Sequence, residues 1–168
     1  MPHVAYLALG SNLGDRHAHL AAAREAIGAL PGTSLQKSSS LYETPAWGAS
    51  EPQPTYLNAV ISLATALSPV ELWHHTSAIE QAQGRTRNRR QNAARTLDID
   101  LLLFDDSVMN TSSLTLPHPR MHLRKFVLQP LLEIAPDVQI PGLGSAAALL
   151  VKIADDDARK VSHNALWN

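Results

Sequence analysis

Tyr56 to Leu72 reads YLNAVISLATALSPVEL and joins two kinds of local order. Its first part, Tyr56–Thr65, is a β-branched and apolar run of strand length. Its second part opens with Ser68-Pro69-Val70-Glu71. Serine at the N-cap, proline at the first helical position and glutamate at the third form a capping box. The helix it starts is expected to run to about Gln83, with Gly84 as its stop. A strand that leads directly into a capped helix makes this an α-plus-β chain.

The same pattern precedes it. His3–Leu9 is an apolar run ended by Gly10-Ser11-Asn12, a strand followed by a turn. Leu20, Ala23, Ile27 and Leu30 form a helical stripe within Asp15–Leu30, which Pro31-Gly32 ends. Leu35–Thr44 reads as a second strand. A Pro-rich connection, TPAWGASEPQPT, leads from it to Tyr56, and a loop this long in a compact domain is often functional. Beyond the capped helix come the strand 96–104, an Asp105-Asp106 turn and an extended piece, Ser107–Leu116. Met121–Ile134 reads as a helix that Pro130 should kink or interrupt, and a last helix is expected around Ser145–Ile153. The order strand, helix, strand, strand, helix, strand implies a ferredoxin-like α/β sandwich. Its sheet would be mainly antiparallel, with helices packed on one face and C-terminal additions. The whole chain, 1–168, reads as a single domain with a loose tail after about 155.

Composition limits the function. The chain has 168 residues, 45% hydrophobic, and a net charge of -1. That charge gives no global attraction to nucleic acid or anionic membrane. Without cysteine there is no disulfide, thiolate metal site or cysteine nucleophile. No apolar run reaches the ~18 residues of a membrane span. MPHVAYLALG has no basic stretch before its apolar run, so a cytoplasmic protein is expected.

Chemistry gathers around RTLDIDLLLF, Arg95 to Phe104. Asp98 and Asp100 stand two apart in a strand, so they share a face with Cα atoms ~6.8 Å apart. A lone D-x-D is most simply two surface acids. Just upstream, however, Arg85, Arg87, Arg89, Arg90 and Arg95 occur with no acid among them, half of the chain's ten arginines. Guanidinium forks suit phosphate, and paired carboxylates suit Mg²⁺ bridged to phosphate oxygens. Side by side they supply what phosphoryl transfer needs. His118 and Arg124, in PHPRMHLR, could grip a phosphate chain, although a helix start explains that stretch as well. His17, His19, His74 and His75 have no acid at metal-ligand spacing. Gly10–Gly14 matches neither a Walker A loop nor a dinucleotide fingerprint.

Together these segments resemble one enzyme family. VAYLALGSNLGDR, SSLYETPAWG, YLNAVISL, GRTRNRR…ARTLDIDLLLF and LPHPRMHLRKFVLQPLLEIAP stand in the order and spacing of the 6-hydroxymethyl-7,8-dihydropterin pyrophosphokinases of folate biosynthesis. The likeness runs from about residue 4 to 140. It implies a ferredoxin-like fold and transfer of a diphosphoryl group from ATP to the pterin hydroxymethyl group, with AMP released and two Mg²⁺ ions in use. Asp98 and Asp100 would hold the metals, and with Arg85 and Arg95 they would form the catalytic set. Glu80, Arg85, Arg95, Thr115, His118 and Arg124 would bind ATP. Tyr56 and Phe126 would stack the pterin, Asn58 would bond its edge, and Thr44, Pro45 and Trp47 would complete the pocket.

The chain departs from the family in one loop. Gln91-Asn92-Ala93-Ala94 replaces the usual Arg-Trp-Gly-Pro, which removes a large apolar side chain expected to seal the pterin site. His118 is followed by Pro119 where the family has an aromatic. The expected partners are small molecules, with no nucleic acid and no membrane, and the expected state is a monomer, with a dimer as the alternative. Two other readings are a catalytically weakened family member, suggested by the 91–94 loop, and a ferredoxin-like RNA-binding module. Two acids beside the arginine cluster count against the second, because they repel phosphate unless a metal intervenes.

Overall fold

The computed structural model describes residues 2–45, 55–83, 97–153, 159–160 and 167. β1 (His3–Ser11) leads to α1 (Arg16–Gly28), β2 (Thr33–Ser38) and β3 (Tyr42–Thr44). β4 (Tyr56–Thr65), α2 (Pro69–Ala82) and β5 (Asp98–Phe104) follow. The later elements are β6 (Met109–Asn110), β7 (Thr115–Leu116), a 3-10 turn (Met121–Leu123), α3 (Lys125–Ile134), β8 (Gln139–Ile140), β9 (Gly144–Ser145), α4 (Ala146–Val151) and β10 (Arg159–Lys160).

One six-stranded sheet organises the chain in the order β10-β3-β4-β1-β5, with β2 also on β4. Every pairing in it is antiparallel. The central strands β4 and β1 and the edge strand β5 are all largely apolar. α2 begins on the expected capping box: Ser68 Oγ accepts from the Glu71 N–H at 3.2 Å and Glu71 Oε1 accepts from the Ser68 N–H at 2.9 Å. Asp15 caps α1 by accepting from the Ala18 N–H at 3.1 Å.

The helices occupy both faces, not the single face expected from the sequence. On the back face, Leu20, Ala23 and Ile27 of α1 and Leu72 of α2 pack on Leu7, Leu9, Ala59, Ile61 and Ile99. On the front face, Val127, Leu128, Leu131 and Ile134 of α3 pack on Val60, Leu102 and Leu103, with Ala146 of α4 joining them. Each buried Leu, Ile or Val side chain among these contributes roughly 1.5–3 kcal/mol. α3 has a second cause in its sequence: five of its residues, Pro130 included, are buried. The chain breaks ahead of the helix, at extended Arg124, and runs through Pro130; burial of this face offsets the missing N–H bond.

The expected strand Leu35–Thr44 is also broken. β2 and β3 both pair with β4, but residues 39–41 leave the ladder between them. Ser39 stays attached through its N–H to Val60 O at 2.9 Å and its Oγ, which accepts from the Val60 N–H at 2.9 Å. The end of the chain meets the same place. Trp167 is 2% exposed, its Nε1 donates to Ser39 O at 2.8 Å, and the Arg24 guanidinium lies 4.0 Å from its ring centre. β10 pairs with β3. The tail expected to be loose after 155 therefore returns to the sheet at two points.

Candidate active site

On the front face of the sheet, apolar and polar side chains occupy neighbouring rungs. α3 lies over Val60 and Leu102. One rung further along, register places Tyr42, Asn58, Gly10 and Asp98 in a row across β3, β4, β1 and β5. Asp100 stands opposite Ala8, at the border of the covered end. Asp98 and Asp100 are both half-buried, while Ile99 between them is buried against the back face. The alternation of a strand thus puts both acids on the front face, the shared face that the sequence implied.

The row explains a glycine. A Cβ on Gly10 would stand 3.2 Å from Asn58 Oδ1 and 3.6 Å from the Tyr56 ring. Glycine lets both side chains lie flat over β1, between the acids and β3. Asn58 is only 7% exposed, and its Nδ2 donates to Thr44 Oγ1 at 2.9 Å. That bond orients the amide and leaves its carbonyl toward Gly10. The sequence marked Asn58, Tyr56 and Thr44 but not Gly10. A small residue in an otherwise bulky central strand is the signal that could have found it.

Beyond β5 lies the basic side. The β6–β7 hairpin, which carries Thr115, packs along this strand. The His118 N–H donates to Leu102 O at 2.9 Å, which satisfies the outer edge of β5 at its bulge. Burial pushes the His118 imidazole down to about 4, the positive charges of Arg124 and Arg120 push the same way, and Asp98 opposes them. The ring is therefore neutral near pH 7. Its Nδ1 accepts from the Arg120 N–H at 3.2 Å, so the proton resides on Nε2. His118 is thus a neutral donor set among arginines and one acid. Arg124 lies 5.7 Å from the Phe126 ring centre, at the start of α3. Phe126 is half-buried and packs against the front-face core.

Glu80, expected on the ATP side, lies on α2 against β5. It is 8% exposed, and its Oε2 accepts from the Ile99 N–H at 2.8 Å, between the two acids of β5. One carboxylate oxygen is thus committed to the backbone that carries Asp98 and Asp100. Pro45 is half-buried at the end of β3. Trp47, Arg85, Arg95 and the 91–94 loop lie outside the described residues.

The polar part of the front face therefore joins an amide and aromatic side, a pair of acids, and a histidine–arginine side. This is also where the chain can be matched to known proteins. The family model described as 7,8-dihydro-6-hydroxymethylpterin-pyrophosphokinase (HPPK) matches residues 6–136. The chain belongs to this family.

Two relatives give the extent of the likeness. The Haemophilus influenzae 2-amino-4-hydroxy-6-hydroxymethyldihydropteridine pyrophosphokinase is 42% identical over 158 residues, 94% of this chain and 98% of that protein. The Bacillus subtilis enzyme of the same name is 43% identical over 139 residues, 83% of this chain and 82% of its own. Among solved structures, an HPPK–DHPS in complex with substrates superposes with a TM-score of 0.71 at 13% identity, over 89% of this chain and 44% of that chain. The wild-type Plasmodium falciparum HPPK–DHPS gives 0.67 at 14% identity, over 90% of this chain and 44% of that one. The chain spans less than half the length of these solved chains, and at such identity they speak to the fold alone. What this chain shares with them is the fold, here an antiparallel sheet with helices.

Proposed function

We propose that the chain transfers the β,γ-diphosphoryl group of ATP to the hydroxymethyl oxygen of 6-hydroxymethyl-7,8-dihydropterin, releasing AMP. It would act as a single domain on small molecules, as a cytoplasmic monomer, in folate biosynthesis. No helix among the described residues is long and apolar enough to cross a membrane. The strand order, with β2 and β3 taken as one bent strand, supports a ferredoxin-like core to which α3, α4 and the tail are additions.

One observation carries this reading: the cross-sheet row from Tyr42 and Asn58 through Gly10 to Asp98. Two strand spacings separate Asn58 from Asp98, ~10 Å. That is room for a bicyclic ring and its hydroxymethyl group over β1, with the phosphates reaching the acids. Asn58 and Thr44 would hold the pterin edge, with Tyr56 and Phe126 on its faces and Pro45 and Trp47 at its rim. Arg85, Arg95, Arg124, Thr115 and His118 would hold ATP. Glu80 serves this side by fixing the strand between the acids.

The acids fit Mg²⁺. They offer oxygen ligands only, and no group of three or more His, Cys, Asp or Glu among the described residues could hold a metal alone. A cation at Asp98 and Asp100 must take its remaining ligands from phosphate and water, which is the habit of Mg²⁺. When bound, two such ions would offset charge on the phosphate oxygens and align them for in-line displacement. His118 is unsuited to act as a base, because Nδ1 is occupied and Nε2 carries the proton. It donates to phosphate instead, and Arg124 and Arg95 stabilise the charge that develops on the transferring group. Positioning and electrostatics supply the catalysis, as a loose transition state allows.

Incubation with ATP, Mg²⁺ and the hydroxymethyl-dihydropterin is expected to yield AMP. ADP as the nucleotide product would overturn the proposal.

A further inference from the structure

The last rung of the β3–β4 ladder is Thr44 opposite Tyr56. Both side chains face the front, and Thr44 Oγ1 takes the bond that orients Asn58. Rungs at ladder ends open most easily. β10 pairs with Tyr42 and Glu43 but not with Thr44, so among the described residues no strand supports this rung from outside.

Its support comes from behind. Glu43 precedes Thr44 and Thr55 precedes Tyr56, so their side chains face the back of the sheet. Arg16 Nη1 donates to Glu43 Oε2 at 3.0 Å, to Thr55 O at 3.0 Å and to Thr55 Oγ1 at 2.9 Å. One guanidinium nitrogen thus ties the two strands together across the ladder end. Arg16 is held in place in turn, as the first residue of α1 after the Asp15 cap. A cation in the first turn opposes the helix dipole and costs a little stability there, and no acid in that turn offsets it. The position is poor for a helix and well placed for the rung.

We propose that Arg16 is a positioning residue for the pterin side of the site. It clamps the Thr44–Tyr56 rung from the back so that Tyr56, Thr44 and Asn58 meet the ring in fixed register. The inference rests on the pterin reading for its ligand, but not for the clamp itself.

The full chain is tested with Arg16→Met, Arg16→Glu and the swap Arg16→Glu/Glu43→Arg. Arg16→Met is expected to raise KM for the pterin about tenfold, with KM for ATP and kcat changed less than about twofold. The swap, which restores an ion pair at the same place, is expected to recover most of what Arg16→Glu loses. Amide hydrogen exchange, which needs no substrate, is expected to quicken in Arg16→Met at residues 42–44 and 56–58 and to stay unchanged in the β1–β5 ladder. An unchanged pterin KM, both KM values rising together, a swap no better than Arg16→Glu, or exchange unaltered at the rung would each overturn the clamp. Absence of turnover in the wild-type chain would count against the functional reading instead, and exchange would still decide the clamp.

Discussion

The two ends of the front face are built from the same strands and differ in what lies on them. At the Val60–Leu102 end the side chains are apolar and α3 seals them. At the Asn58–Asp98 end, one rung away, they are an amide, a glycine and an acid, and α3 reaches this row only at Tyr42 among the described residues named in it, whose hydroxyl donates to Glu133 Oε1 at 2.8 Å. The core and the site are therefore neighbours on one surface. Asp98 and Asp100 are half-buried on a strand that the buried Ile99 between them anchors to the core. A site on a packed sheet is held more precisely than one on loops.

This contrast predicts opposite behaviour on mutation. Asp98→Ala or Asp100→Ala should lower Mg²⁺-dependent turnover by at least ~10³-fold, comparable with the loss of other charge-stabilising groups, while the thermal midpoint hardly falls. Near-normal turnover in either variant would remove the metal assignment. Leu102→Ala, at the sealed end, should do the reverse. It should destabilise the fold by about 2–5 kcal/mol, and the folded fraction should keep both KM values. If KM rose as well, the two ends would be less separate than the packing indicates.

Smaller effects sharpen the boundary. Asn58→Ala should raise KM for the pterin about tenfold or more, leave KM for ATP in place, and release Thr44 from its bond. A change confined to ATP would exchange the two sides of the site. His118 supplies a pH test. Its folded value, about 4, lies below the ordinary 6.5, so the unfolded chain takes up the proton first as pH falls. Its effect is absent above about pH 6.5, and stability should decline between there and about pH 4. Thermal midpoints measured across that range should fall less steeply in His118→Asn, and equal slopes would contradict the buried neutral ring.

Local chemistry was legible in the sequence, and register was not. Ser68, Pro69 and Glu71 announced α2 because a capping box is satisfied within four residues. Asp98 and Asp100 declared a shared face because strand alternation is local. Nothing local says that Asp98 lies in line with Gly10 and Asn58, since that follows from how three strands pair. The break at 39–41 depends on Val60 and on Trp167, distant in sequence, so Leu35–Thr44 read as one strand. Trp167 stands in a polar tail whose composition suggested looseness, yet its indole finds a buried carbonyl. Glu80 lies on the expected helix, but its partner is a backbone N–H that no side-chain pattern reveals. The sequence announced α3 and α4 as helices, but not that they lie on the front face, because the expected fold placed all helices on one side.

The central claim is that the Asn58–Asp98 end moves two phosphoryl groups together, and ATP labelled at its β-phosphorus tests this most directly. With Mg²⁺ and the hydroxymethyl-dihydropterin present, the label is predicted to leave the nucleotide and appear in the pterin product, with unlabelled AMP remaining. Label retained in ADP would mean that only the γ-phosphoryl group moves, and would contradict the account.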